Sequence, residues 1–292
     1  MVKVRVPATT ANIGSGFDCM GIALNLYNNF YIEEIEEGLI IEGCDEKYKN
    51  KDNLIYTSML ECFKKANYKY KGVKITIDAQ IPESRGLGSS ASCILGGVIG
   101  ANELMGKPFS NEEILKLATD IEGHPDNISP ALLGSAVVSI LDDEKVYYNK
   151  IKIASELKFC ALVPDFTLST EKSRAILPQT ISYKDAIFNI GRVATMVAAL
   201  NNGDLELINI GCQDKLHERY RGELIEDYFD IVSECKKYSV ATFLSGAGPT
   251  IMNILRFDDN SFKADINSYL EKLKNKWSVI ELNLDLNGAM AE

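Results

Sequence analysis

The segment Pro82-Glu83-Ser84-Arg85-Gly86-Leu87-Gly88-Ser89-Ser90-Ala91 gathers residue types that bind phosphate. Its two glycines permit close backbone approach or positive φ. Ser89 and Ser90 stand where a helix of small residues begins, passing Ser92, Gly96, Gly97 and Gly100 to about Leu104. The first-turn N–H groups of a helix are unpaired, and its dipole places about half a positive charge there. That combination cradles a phosphate and suits phosphoryl transfer. A tight turn before a buried, serine-capped helix would carry the same letters. The Walker A pattern is absent. The dinucleotide pattern G-x-G-x-x-A fits Gly86 to Ala91, but Pro82 to Arg85 separate it from the preceding strand. The nearest acid at the required offset, Glu103, stays within the same helix and not at the end of a second strand, where it would meet a ribose.

A second chemical group is Glu122. It follows a helix and precedes the breaker sequence Gly123-His124-Pro125-Asp126-Asn127, so it can point into a cleft. A carboxylate and a hydroxyl are hard ligands suited to magnesium. Of the two histidines, His124 lies in that breaker and His217 lies in a charged helical stretch, where a surface position is expected.

These residues need elements to place them. Residues 2–6, 26–35 and 73–78 alternate as strands do, with Pro7 to Asp18 expected as a loop. Residues 53–66 read as a helix. Ser110-Asn111-Glu112-Glu113 is a capping box opening a helix to about Glu122. Strands are expected at 135–141 and 157–163, and helices at 185–201, 205–216 and 224–237. A strand at 240–256, interrupted by Ser245-Gly246-Ala247-Gly248-Pro249, a helix near 261–275 and a strand at 278–286 close the chain. Hairpin-like strands with separate helices indicate an α+β fold. The boundary is placed near 145–165, giving 1–155 as an N-terminal domain and 156–292 as a C-terminal domain.

Composition narrows the classes. Lys plus Arg number 31 and Asp plus Glu 41, a net charge of -10. Such a surface repels nucleic acid and anionic membranes at long range, so neither is an expected partner. Seven scattered cysteines, with no C-x-x-C pair, fit reduced thiols better than a disulfide framework or zinc site. The apolar stretches Ala91 to Ala101 and Ala131 to Leu141 are too short to span a bilayer. A cytoplasmic location is expected.

Residues 82–91 resemble the phosphate-binding motif of the GHMP small-molecule kinases, a proline followed by G-L-G-S-S-[AS]. Pro7-Ala8-Thr9-Thr10-Ala11-Asn12-Ile13-Gly14-Ser15-Gly16-Phe17-Asp18 resembles the N-terminal motif of homoserine kinases, and Glu122 to Pro130 is similar to their E-G-H-x-D-N-V-x-P segment. Ser245 to Thr250 resembles the third, glycine-rich GHMP motif. Four segments in one order span most of the chain.

The resemblance implies a two-domain α+β architecture whose N-terminal half holds a left-handed β-α-β unit bearing the phosphate loop. It implies ATP binding by Pro82, Glu83, Ser84, Arg85, Gly86, Leu87, Gly88, Ser89, Ser90, Ala91 and Ser92. Glu122 and one serine of the 89–90 pair, taken as Ser90, would hold Mg²⁺. The expected acceptor is L-homoserine, phosphorylated for threonine synthesis. Arg174 and Arg221 match its carboxylate-binding arginines, and Asn12, Asp18 and His124 match other pocket positions. Asp18 and Thr170 are the residues placed near the reacting hydroxyl, with the γ-phosphate an alternative proton acceptor. The family is often dimeric, so a homodimer is an expectation. Another small hydroxylated acceptor, and a non-catalytic binding protein on the same scaffold, are the competing readings.

Overall fold

The computed structural model describes residues 1–292. Strands β1 (Val2–Ala11), β2 (Met20–Ile35) and β3 (Gly38–Glu42) lead into α1 (Leu54–Lys65) and β4 (Gly72–Ala79). Helices α2 (Ser89–Leu104), α3 (Asn111–Glu122) and α4 (Pro125–Leu133) precede the hairpin of β5 (Ala136–Asp142) and β6 (Lys145–Ile151). Then come β7 (Leu157–Pro164), α5 (Thr170–Ala175), α6 (Tyr183–Asn202), α7 (Leu205–Gly211), α8 (Glu218–Arg221) and α9 (Tyr228–Cys235). Strands β8 (Ala241–Leu244) and β9 (Ile251–Arg256), α10 (Phe262–Leu270), β10 (Trp277–Leu282) and β11 (Met290–Ala291) complete the chain.

Two sheets organise these elements. The first has seven strands, in the order β11-β1-β2-β4-β3, with β5 beside β2 and β6 beside β5. Only β3 and β4 pair in parallel, and α1 connects them. The second is the antiparallel set β10-β7-β9-β8. Alternation along β7 serves two cores at once. Phe159, Ala161 and Val163 join a core with residues of β2, α6 and α7, whereas Cys160 and Leu162 pack with α9 and α10. A third core lies between the first sheet and α1 to α4.

Local sequence explains most element ends. The Ser110–Glu113 capping box forms as read and starts α3. The Asn53 side chain accepts the N–H groups of Ile55 and Tyr56 and starts α1. Two expectations change. The stretch after Pro7 is not all loop: β1 continues through Pro7 to Ala11, with a register shift at Pro7/Ala8, where proline supplies no N–H. Residues 123–127 do break α3, but Pro125 then takes the first position of α4, where a missing N–H costs nothing.

Helix α7 ends at Gly211, short of the expected 216. The next residues wrap around the buried Asp214 carboxylate, which accepts the Asn189 amide (2.7 Å) and the N–H groups of Leu216, His217 and Glu218. His217 is wholly buried, correcting the expected surface position. Glu218 turns inward too: Oε1 accepts the Leu244 N–H at 2.8 Å and the Tyr228 hydroxyl donates to Oε2 at 3.3 Å. The seven cysteines are free, four of them buried. No helix is long and apolar enough to cross a membrane.

Burial pushes the Glu218 carboxyl up to about 8 from its ordinary 4.5. The folded chain then keeps a proton that the unfolded chain has lost, so this group makes stability fall as pH rises from about 4.5 to about 8. Glu218→Gln preserves an acceptor for Leu244 without the charge. Calorimetry should show a Tm about 2–4 °C above wild type near pH 7.5 and little difference near pH 5. The same difference at both pH values would mean that Glu218 ionisation plays no part.

Candidate active site

A cleft of about 580 Å³ opens where the loop before α2, the end of β1, α5 and the β8–β9 turn converge. The loop is held from several directions. Asn28 accepts the N–H groups of Gln80 and Ile81 and donates to Ser92 Oγ, fixing the chain before and after it. The Arg85 guanidinium donates to the carbonyls of Glu83, Pro164 and Asp165 at 2.9–3.0 Å. Gly86 and Gly88 have φ of 75° and 72°. A Cβ on Gly86 would run into the Ser245 carbonyl, and one on Gly88 into Thr9 Oγ1. These positions therefore need glycine for conformation and for space.

The 245–250 turn supports that loop. Ser245 Oγ donates to the Gly86 carbonyl at 2.6 Å and lies 2.8 Å from Thr10 Oγ1. The Gly246 N–H donates to the Ala11 carbonyl, and the Gly246 carbonyl accepts Asn12 Nδ2 at 3.0 Å. The end of β1 thus threads between two glycine-containing segments.

Most of the residues singled out from sequence meet in the cleft. Glu83, Ser84, Arg85, Gly86, Gly88, Ser89 and Ser90 line it, as do Asn12, Glu122, His124, Thr170, Arg174 and Arg221. Pro82, Leu87, Ala91 and Ser92 do not; Leu87, Ala91 and Ser92 are core residues. Leu87 packs into the core shared by β2, β7, α6 and α7, and Ser92 is spent on Asn28. Asp18 is not part of the lining but grips a residue that is: Arg174 donates to its two carboxylate oxygens at 2.9 and 3.2 Å. Asn12 Oδ1 accepts the Asp18 N–H at 2.8 Å, closing the turn between them.

The electrostatics divide the cleft. Ser90 Oγ donates to Glu122 Oε2 at 2.8 Å at the mouth of α2. Burial raises the Glu122 pKa, only partly opposed by that hydrogen bond. Asp126 Oδ1 lies 2.6 Å from His124 Nδ1. Burial alone would lower the His124 pKa, but the Asp126 carboxylate outweighs it and the net shift is upward. Asp126 Oδ2 is buried without a hydrogen-bond partner. Arg221 is 1 % exposed; burial first, then Arg174, brings it down to about 10. It remains a cation at neutral pH.

Sequence reading passed over several lining residues. Asp126 and Asn127 sit in the Glu122–Pro130 motif, from which only Glu122 and His124 are expected at the site. The Asn127 side chain accepts the Thr9 hydroxyl at 2.7 Å. Cys44 and Tyr48 come from a stretch that looks like a solvated loop; Tyr48 reaches Glu83 at 3.1 Å and closes one wall. Leu54, Ile77, Ala79 and Cys93 add an apolar floor beside it. No local spacing joins these four residues, because they come from three different elements, α1, β4 and α2.

Comparison with known proteins agrees with this geometry. Residues 53–135 match the family model for the GHMP kinases N terminal domain, and residues 196–272 that for the GHMP kinases C terminal. Fold and site thus define a GHMP kinase. Homoserine kinase of Clostridium botulinum (strain 657 / Type Ba4) is 58% identical over 99% of this chain and 98% of its own length. That of Clostridium beijerinckii is 48% identical over the same shares. The crystal structure of homoserine kinase from Cytophaga hutchinsonii superposes with a TM-score of 0.89 at 25% identity, covering 100% of this chain and 97% of the other. The chain belongs to the homoserine kinase family.

His124 offers a direct test of the cleft's electrostatics. Asp126→Asn removes the carboxylate that raises its pKa and leaves burial and the Arg174 charge, which both lower it, opposed only by Glu122. In NMR titration of the two histidines, the His124 midpoint should move from above about 6.5 to below it. An unchanged midpoint would remove Asp126 as the cause.

Proposed function

We propose that this chain transfers the γ-phosphoryl group of ATP to the side-chain hydroxyl of L-homoserine, giving O-phospho-L-homoserine and ADP. The observation that carries this reading is the meeting, in one cleft, of the glycine-rich loop and α2 N-terminus with the Asp18–Arg174 pair and Arg221. The names of the relatives support the same acceptor.

The phosphate chain lies over residues 83–90, where glycine backbone and the unpaired N–H groups of the first turn of α2 face it. The apolar wall of Leu54, Ile77, Ala79 and Cys93, with Tyr48 alongside, receives the base. Arg85 spends three of its five N–H donors on backbone carbonyls. It keeps the loop in place.

Ser90 and Glu122 fit a magnesium ion. They are a hydroxyl and a carboxylate already within 2.8 Å of each other, and the buried carboxylate lacks a neighbouring cation in contact. Two protein oxygens suffice, since magnesium keeps several waters and phosphate oxygens as ligands. When bound, the ion neutralises charge on the β- and γ-phosphates.

The acceptor is a zwitterion, and the cleft offers the opposite charges. Arg174 and Arg221 face its carboxylate, which a guanidinium can hold with parallel hydrogen bonds. Asp126 in the lining, and Asp18 behind Arg174, supply the negative charge that offsets its ammonium. The Asp18–Arg174 ion pair keeps both groups ordered and gives each up to the complementary end of the substrate. In the transfer, the acceptor oxygen forms a bond to the γ-phosphorus while the bond to the β–γ bridging oxygen breaks. Thr170 and Asp18 orient the hydroxyl, whose proton passes to the transferred phosphoryl oxygen. A loose transition state needs little push from a strong base, so positioning and electrostatics supply most of the rate.

Three measurements test the reading. ADP release with Mg-ATP should be strong with L-homoserine and weak with L-threonine, L-serine, mevalonate, shikimate or galactose; release with another of these would reassign the pocket. Arg174→Ala should lower kcat/KM for homoserine by about a hundredfold, the value of one or two hydrogen bonds to a charge, with KM for ATP nearly unchanged. Equal loss for both substrates would remove Arg174 from the acceptor pocket. Glu122→Ala should abolish magnesium-dependent turnover with the Tm preserved. Near-normal turnover would take Glu122 out of the metal site.

A further inference from the structure

Arg221 is an unusual ligand for a small molecule, because its side chain is almost wholly enclosed. Its Nε donates to the Ser173 carbonyl at 3.1 Å and Nη1 to the Gly246 carbonyl at 3.0 Å. Those two contacts leave the tilt of the guanidinium plane to its remaining neighbours. Two aromatic rings fill that role. Phe17 lies under the guanidinium, 5.1 Å from Cζ, and the His217 ring stacks on Phe17 at 5.0 Å and 22°.

His217 also has a polar link on each nitrogen. Nδ1 is 3.5 Å from Arg221 Nη1, and Nε2 is 3.1 Å from the Gly14 carbonyl. Arg221 can only donate, and a carbonyl can only accept. One protonation state satisfies both partners: a neutral ring with its hydrogen on Nε2. Gly14 belongs to the turn that carries Asn12 and Asp18. His217 therefore joins the two halves of the acceptor pocket, the arginine that comes from α8 and the turn that comes from β1. Asp214 holds the ring's backbone in register by accepting the N–H groups of His217 and Glu218.

We infer that His217 is a positioning residue for the acceptor, bridging the Arg221 guanidinium to the Gly14–Asp18 turn as a neutral imidazole. It does not reach the phosphate side of the cleft and is not part of the cleft lining. Its loss should thus be felt by the acceptor and hardly by the nucleotide. The inference rests on the acceptor reading above. Wild-type turnover of L-homoserine, run alongside, separates the two: failure of the acceptor reading appears in the unmutated chain, failure of this inference only in the variants.

The test is steady-state kinetics of H217F and H217Q with both substrates, with circular dichroism to check folding. Phenylalanine keeps the stack on Phe17 and removes both polar links. Glutamine keeps a donor and an acceptor on a planar group. H217F should raise KM for homoserine by about tenfold or more, with KM for ATP within about twofold, the worth of a hydrogen bond to a charged partner. H217Q should recover most of that loss. In an R221K background, H217F should add little, because the group it positions is gone. Equal rises in both KM values, no recovery in H217Q, or additive losses with R221K would each overturn the proposal. Failure of both single variants to fold would also overturn it, assigning the ring to packing alone.

Discussion

The contact between the loop before α2 and the β8–β9 turn governs the rest of the site. Gly86 lies so close to the Ser245 carbonyl that no side chain fits, and Ser245 Oγ donates to the Gly86 carbonyl in return. These segments belong to opposite halves of the chain. Thr10 and Asn12, at the end of β1, bond to the same turn. Neutral hydrogen bonds of this kind are individually worth only about 1 kcal/mol. Their effect is geometric: three distant segments share one small volume, so the helix dipole and the acceptor pocket keep a fixed separation. Arg85 reinforces this by tying the loop to the end of β7. A reaction that depends on placing two substrates in line needs such rigidity more than it needs a strong base.

The half of the cleft proposed for the acceptor is held by charge. Arg174 is exposed enough to exchange partners and is paired with Asp18, whereas Arg221 is enclosed and fixed by backbone carbonyls. One arginine is adaptable and the other rigid. Burial costs Arg221 part of its affinity for a proton, yet at about 10 it remains cationic. An incoming carboxylate would restore what burial removed. Enclosing a cation before its partner arrives is a form of preorganisation, with the cost met by folding and not by binding.

The sequence made the chemistry legible more readily than the walls. Gly86, Gly88, Ser89, Ser90 and Glu122 form short patterns with a physical meaning, and all line the cleft. The capping box and the period-2 strands were readable because the forces behind them act within a few residues. What was missed depends on distance. Pro7 suggested a loop, but pairing with β2 carried the strand through it. His217 looked like a surface residue among charges, yet Asp214, Phe17 and Arg221 enclose it. Cys44, Asp45 and Tyr48 sit in a polar stretch, and they gain meaning only in the fold, where Tyr48 meets Glu83 beside the cleft. Hydrophobic patterning gives no warning of a buried polar network, and the groups that close over His217 from the far side, Gly14 and Phe17, lie about two hundred residues away.

The turn from Asn12 to Asp18 places a constraint on how the pocket can vary. Both residues adopt left-handed backbone, with φ of 58° and 54°. Apart from glycine, asparagine and aspartate enter that region at the least cost, and β-branched residues at the greatest. The side chains suited to the acceptor and the side chains tolerated by the backbone are therefore the same two types. Any drift at these positions is confined to a very small alphabet. A shape change in the acceptor could be met by altering the arginine side of the pocket, but not by enlarging a residue here. Substrate range in this scaffold should thus evolve asymmetrically, with the β1 side a fixed wall and the α5–α8 side the one free to move.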